Sequence, residues 1–146
     1  MPAALAIRSA FSDDFTIEDA ETVVEAMPTS TADMSVAQIR VMGGEVARVP
    51  VDATAFPHRR REMMVNIAAA YQDLETRPEH EAWVTMLVGK VRRGDPGAYV
   101  NFSGDTSESA VHEIYPGATW DRLVEVKSKY DPDNLFRSNH NIPPAS

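Results

Sequence analysis

The side chains able to do chemistry are few and mostly neutral. Tyr99 and Asn101 stand two apart in Ala98-Tyr-Val-Asn-Phe102. In an extended run both point the same way, which sets a phenol beside a primary amide. A phenol needs a strong perturber to act as a base at neutral pH, and none to donate a hydrogen bond to a carbonyl. Gln38 and Arg40 share one side of the alternating run Ser35 to Met42 with Val36 and Met42. A guanidinium so placed can grip a carboxylate or enolate through two parallel bonds. Asn66 looks into the same cavity if the run Met63 to Tyr71 is a strand, and Met42 and Met64 would add adaptable thioether walls. The plainer alternatives are a half-buried strand tyrosine for Tyr99 and a solvated strand face for Gln38 and Arg40.

Other chemistries find no support. The four histidines, His58, His80, His112 and His140, lack metal-ligand spacing among themselves or with carboxylates. His58, after Phe56-Pro57, reads as a structural hydrogen bonder, and His80 and His112 as exposed helix residues. The 22 carboxylates are scattered without an acid/base dyad, and Asp13-Asp14 reads as solvated capping. With no cysteine, disulfides, thiolate nucleophiles and cysteine–metal sites are excluded. Gly43-Gly44 reads as a hairpin turn rather than a phosphate loop, since the strand-to-helix setting is missing. A net charge of −8 argues against nucleic-acid and anionic-membrane partners. No apolar run approaches the ~20 residues of a membrane span, and Met1 to Phe11 lacks the pattern of a secretory signal. A soluble cytoplasmic protein is the expectation.

Positioning these groups requires a core, and 146 residues of ordinary composition suffice for one domain, 1–146. Thr16 to Met27 reads as a helix capped by Thr16, with Ile17, Ala20, Val24 and Met27 on its buried face. Ser35 to Met42 reads as a strand, and Glu45 to Val49 as a second short one after the glycine turn. Pro50 to Arg61 is irregular. Arg77-Pro78 opens a helix with Trp83, Met86, Leu87 and Val91 as its buried stripe, ended by Gly94-Asp-Pro-Gly97. Ala98 to Phe102 reads as a strand and Ser107 to Tyr115 as a short helix. The last helix is capped by Thr119, buries Trp120, Leu123, Val124, Val126 and Tyr130, and stops at Asp131-Pro132. Beyond it, Leu135 and Phe136 are apolar enough to predict a packed-down tail. The fold class expected is α+β: a small antiparallel sheet of three to four strands with helices packed on one face.

The tail Tyr130-Asp-Pro-Asp-Asn-Leu-Phe-Arg-x-Asn-x-Asn-Ile-Pro-Pro144 resembles the C-terminal signature of the berberine-bridge-enzyme-like flavin oxidases. Gly43-Gly-Glu-Val-Ala-Arg-Val-Pro-Val-Asp-Ala-Thr-Ala-Phe-Pro-His-Arg59 and Ala98-Tyr-Val-Asn-Phe102 resemble further family motifs in the family's order, and Arg8-Ser-Ala-Phe11 its lead-in. The resemblance spans nearly the whole chain, with 115–146 as the family tail, and corresponds to the last third of a family oxidase. It implies the strand reading of Met63 to Tyr71. It also implies Tyr99 as the group that deprotonates a substrate hydroxyl, Asn101 as its positioning group, and Gln38, Arg40, Asn66, Met42 and Met64 as pocket residues. Asn139 and Asn141 match asparagines that lie near the flavin ring in the family. Here the expectation is that they pin the tail by side-chain-to-backbone bonds.

The flavin-binding domain has no counterpart in these residues, and this divides the functional reading. The leading expectation is a cofactor-free enzyme of natural-product biosynthesis that holds an apolar polyene or polyketide-type substrate and promotes its cyclisation, a pericyclase-like role with catalysis by Tyr99 and Gln38. The alternative is a substrate-domain subunit of an FAD-dependent oxidase, with FAD supplied by a partner domain. A non-catalytic small-molecule binder is the third. A partial sheet also leaves apolar surface to cover, which predicts completion by homodimerisation.

Overall fold

A computed structural model describes residues 4–94 and 96–145. Met1 to Ala3, from the stretch read against a signal peptide, and Asp95, from the Gly94–Gly97 break, lie outside them. The elements in order are β1 (Ala4–Ser12), α1 (Ile17–Ala26), β2 (Met34–Val41), α2 (Glu45–Arg48), β3 (Met63–Tyr71), α3 (Arg77–Val91), α4 (Glu108–Ile114) and α5 (Ala118–Tyr130). The strands form one antiparallel sheet in the order β1-β3-β2, and the fold is α+β. Among the described residues no helix is long and apolar enough to cross a membrane.

The strand pattern decides which face is buried. β3 is nearly all apolar and lies in the centre, paired along both edges. Val65, Ile67, Ala69 and Tyr71 face one way with Ala6 and Ala10 of β1, and meet Val84, Leu87, Val88 and Val91 of α3 and Val23 and Ala26 of α1. Small alanines on β1 let the helices approach closely, so the larger α3 side chains fill the space.

Several sequence expectations are corrected by this packing. β1 was read only as a lead-in and supplies an edge strand. Glu45 to Val49 is the helical turn α2 rather than a strand. Gly43 and Gly44, at φ of 126° and 51°, lead into that turn instead of closing a hairpin. In α1, Ile17 and Val24 are exposed, while Asp19, Val23 and Ala26 are buried. The cause is polar. Thr16 and Asp19 form a reciprocal capping box, and Arg93 bonds Asp19 at 2.7 Å, so Asp19 is drawn inward and the helix rotates with it. The Arg93 guanidinium holds the Asp19 carboxyl below its usual range, with the Thr16 bonds adding to that and burial opposing.

His80 is buried, not exposed, and its ring packs on Tyr71 with centroids 4.4 Å apart. It joins Val84, Leu87, Val88 and Val91 in the buried stripe of α3, whereas Met86, expected there from sequence, faces outward. α5 starts after Gly117, at φ 57°, with no side-chain cap, so Thr119 does not cap it. Its outer residues Val126 and Tyr130 are exposed, and the tail is not packed down. Leu135 and Phe136 are 76% and 82% exposed. What holds the tail is polar. Asp131 accepts the Leu135 and Phe136 amides at 2.8 and 3.0 Å, Lys127 donates to the Phe136 carbonyl at 2.6 Å, and the Ala145 amide donates to Ser128.

Candidate functional site

The sheet face turned away from α1 and α3 carries the chemistry. Register places Ser9, Asn66 and Gln38 in one row across the three strands, and Phe11, Met64 and Arg40 in the next. The Asn66 amide donates to Gln38 Oε1 at 3.1 Å. Asn66 is 4% exposed and its Oδ1 is buried without a hydrogen-bond partner, an arrangement that costs free energy unless a ligand or water completes it. Met64 is buried beneath the row. Gln38 and Arg40 are exposed on the edge strand β2.

Tyr99 reaches this face by a route the sequence did not indicate. Residues 98–102 are not a strand. Val100 to Phe102 form a 3-10 turn that lies along the free edge of β1, tied by Phe11 N–H to the Gly97 carbonyl at 3.3 Å and by Gly104 N–H to the Ile7 carbonyl at 3.3 Å. The buried Ser9 hydroxyl anchors it, accepting from Tyr99 N–H at 2.8 Å. The turn still brings Tyr99 and Asn101 together, and Asn101 Nδ2 donates to Tyr99 Oη at 3.0 Å. Phe102 then meets the Arg40 guanidinium at 5.1 Å, so Arg40 reaches over the face toward the β1 side. Phe56 packs edge-on against Tyr99 with centroids 5.9 Å apart.

Of the residues singled out from sequence, Gln38, Arg40, Asn66 and Met64 therefore share this face, with Tyr99 and Asn101 at its margin. Met42 follows β2 and is fixed by its amide to the Glu62 carbonyl at 2.7 Å; no contact joins it to Tyr99. Ser9, Phe56 and Phe102 were missed as site residues. For Ser9 the signal was Arg8-Ser-Ala-Phe11, legible only once β1 is recognised as a strand.

A small hollow of about 170 Å³ opens behind Tyr99, lined by Phe56, His58, Val100, Ile114 and Tyr115 among others. Burial and the nearby Tyr99 raise the Tyr115 phenol above its ordinary value. His58 is structural, as its sequence setting implied. It is buried against the Phe11 ring, centroids 4.3 Å apart, and its Nε2 bonds the Ile114 carbonyl at 3.1 Å. Gly97 presses close, since a β-carbon there would come 2.8 Å from the His58 ring. Burial lowers the affinity of His58 for a proton, the Ile114 carbonyl opposes that, and Arg61 reinforces it. The unfolded chain, with a value of about 6.5, therefore takes up the proton first as pH falls. The stability that neutral His58 contributes is complete above pH ~6.5 and is lost as pH falls through the lower folded-state value. Unfolding free energies from urea titrations between pH 7.5 and 5 are expected to fall by up to ~1.4 kcal/mol per pH unit more in the wild type than in His58→Gln; parallel curves would contradict this.

The tail comes near the segment that follows the Tyr-Val-Asn turn. His140 is near enough to Asp105, in the segment after the Tyr-Val-Asn turn, to help hold that carboxyl below its usual range, after the larger effects of the Ser107 amide and hydroxyl. Asn139 and Asn141 do not pin the tail through their side chains. Asn139 sits at φ 60°, and the Asn141 amide donates to the Asn139 carbonyl at 3.0 Å. The buried atoms Asn134 Oδ1, His140 Nε2 and Asn141 Oδ1 have no partner. Orphaned polar groups of this kind, Asn66 Oδ1 among them, are the partners that the polar edge of a heteroaromatic ring such as a flavin's would need. A grip for its phosphates is not found among the described residues.

Sheet, covering helices and flanking turn together define a fold found within larger oxidoreductases. The structure superposes on a glycopeptide hexose oxidase complexed with teicoplanin with a TM-score of 0.79 and 26% identity, covering 99% of this chain and 33% of that one. In sequence, the chain is 35% identical over 103 residues to an FAD-linked oxidoreductase of Bacillus subtilis, covering 70% of this chain and 23% of that protein. It is 32% identical over 119 residues to berberine bridge enzyme-like 21 of Arabidopsis thaliana, covering 69% and 22%. Residues 98–143 match the family model described as berberine and berberine like. The chain belongs to the berberine-bridge-enzyme-like family of FAD-linked oxidoreductases, and it spans less than a quarter of the length of the Bacillus and Arabidopsis relatives.

Proposed function

We propose that this chain forms the substrate-side wall of an FAD-linked oxidoreductase and works against a flavin held by further polypeptide. The observation that carries this reading is the open, polar sheet face: an amide pair with a buried unpartnered acceptor, a guanidinium over an aromatic ring, and a phenol held by an amide. Such a surface suits a hydroxylated substrate and lacks only an opposing wall. The cofactor-free cyclisation raised from sequence would use an apolar cavity on this same sheet, with Tyr99 and Gln38 as its catalytic groups.

Within this reading each residue has a physical task. Asn66 Oδ1 accepts a substrate hydroxyl or N–H, and Gln38, fixed by its bond from Asn66, adds a further polar contact. Arg40 orients a substrate oxygen, with Phe102 beneath its guanidinium. Tyr99 Oη exchanges a proton with the reacting hydroxyl, and the Asn101 amide, already donating to that oxygen, favours negative charge on it. A bound flavin would supply two-electron acceptance from the carbon bearing that hydroxyl. Asn139 and Asn141 would stand near its ring.

The test is a chimera in which this chain replaces the matching third of the glycopeptide hexose oxidase. The chimera is expected to retain a yellow chromophore and consume oxygen with teicoplanin, while the chain alone turns over nothing without flavin. Turnover of a polyene or polyketide by the colourless chain alone would overturn the proposal and favour the cyclase.

A further inference from the structure

Residues 97–104 run along the outer side of β1 and are tied to its backbone at their two ends. Phe11 N–H donates to the Gly97 carbonyl, and Gly104 N–H donates to the Ile7 carbonyl. Between those ties, among the described residues, residues 98–103 bond the sheet at one place alone, the Ser9 hydroxyl. It accepts from Tyr99 N–H at 2.8 Å and donates to the Tyr99 carbonyl at 3.4 Å. One buried side chain thus engages both backbone groups of a single residue. A hydroxyl can accept and donate at once, whereas a methyl group does neither.

The route of that bond decides where the phenol stands. Backbone pairing with β1 would hold residues 98–102 in the plane of the sheet, about 4.8 Å from the strand. Ser9 instead lies in the register row of Asn66 and Gln38, with its side chain toward the site face. A bond made through that side chain draws Tyr99 out of the sheet plane and onto the face. The other partners of Tyr99 are the rings of Phe56 and Phe102, both edge-on, and the Asn101 amide. None of the three belongs to the sheet, so none sets the phenol relative to Asn66 and Gln38.

We propose that Ser9 is a positioning residue of the site: its buried hydroxyl holds the Tyr99 backbone so that the phenol meets a substrate lying on the Asn66–Gln38 row. Ser9 touches no substrate and acts through Tyr99. The proposal rests on the oxidoreductase reading, and on contacts made wholly within the described residues.

In the oxidase chimera, Ser9→Ala is expected to lower kcat about 10²-fold, the cost of a misplaced reacting group, with little change in KM. Ser9→Thr, which keeps the hydroxyl, should recover most of that loss. In a Tyr99→Phe background Ser9→Ala should lower kcat no further, because both changes remove the same phenol from the reaction. In the chain alone, hydrogen exchange at the Tyr99 amide should quicken about tenfold in Ser9→Ala, while the Val65 and Ile67 amides of the central strand keep their protection. Parent-like turnover by Ser9→Ala beside an impaired Tyr99→Phe would overturn the proposal and leave the site reading standing. So would a full further loss in the Tyr99→Phe background, or lost protection that reaches Val65 and Ile67, either of which would make Ser9 a support of the fold alone. A Tyr99→Phe chimera that turns over like its parent would remove the site reading and this proposal together.

Discussion

Tyr99→Phe is expected to lower oxygen uptake by the chimeric oxidase about 10²- to 10⁴-fold, the range for loss of a positioned acid–base group. The substitution removes one oxygen and leaves the ring. The edge-on contacts of Tyr99 with Phe56 and Phe102, at 5.9 and 5.6 Å, persist, as does the Ser9 anchor, which bonds the backbone. A fall in kcat with little change in KM would locate the phenol at the reacting hydroxyl. Asn101→Ala, which removes the 3.0 Å donor to Tyr99 Oη, should give a smaller loss of the same kind. If Tyr99→Phe turns over like the parent, the phenol is a strand-edge aromatic and the site assignment fails.

Leu87→Ala is expected to cost about 2–5 kcal/mol in unfolding free energy, whereas Met86→Ala, one position earlier, should stay within about 0.5 kcal/mol. Leu87 is fully buried where α3 crosses the sheet, among Val84, Val88, Val91 and the central-strand residues. A close-packed core relaxes only partly around the space it leaves. Met86 is 40% exposed on the outer side. Urea denaturation of the two variants separates the observed face of α3 from the one periodicity suggested. Comparable losses at the two positions would show that the helix is rotated from its described orientation.

That contrast shows what the sequence made legible. Alternation located β2, an apolar run with the family resemblance located β3, and capping and proline rules placed α1 and α3 within a residue or two. The buried stripe of a helix proved harder, because polar residues set it. Asp19 and His80 each hold an inward position by finding a partner, Arg93 and the Tyr71 ring, that is distant in sequence. β1 was missed because its two sides are both largely small or apolar, and its role becomes visible only through pairing with β3.

The site was legible in its members and not in its construction. The Tyr99–Asn101 proximity was expected from strand alternation and is produced by a 3-10 turn instead, so the pairing was anticipated for the wrong physical reason. The Gln38–Asn66 bond depends on the register of β2 against β3, which no local pattern reveals. Leu135 and Phe136 show the opposite limit. Hydrophobicity argued for burial, while the bonds of Asp131 and Lys127 hold their backbone with the side chains outward.

The central claim, that the open sheet face with its Tyr-Val-Asn margin and tail is built to face a flavin and its substrate, is tested most directly by amide NMR of the chain titrated with flavin mononucleotide. Signals of Gln38, Asn66, Tyr99, Asn101 and residues 139–141 should shift together along one weak binding curve, leaving the helix face of the sheet unmoved. Shifts confined to the groove around Arg60 and His112, or none up to millimolar ligand, would contradict the account.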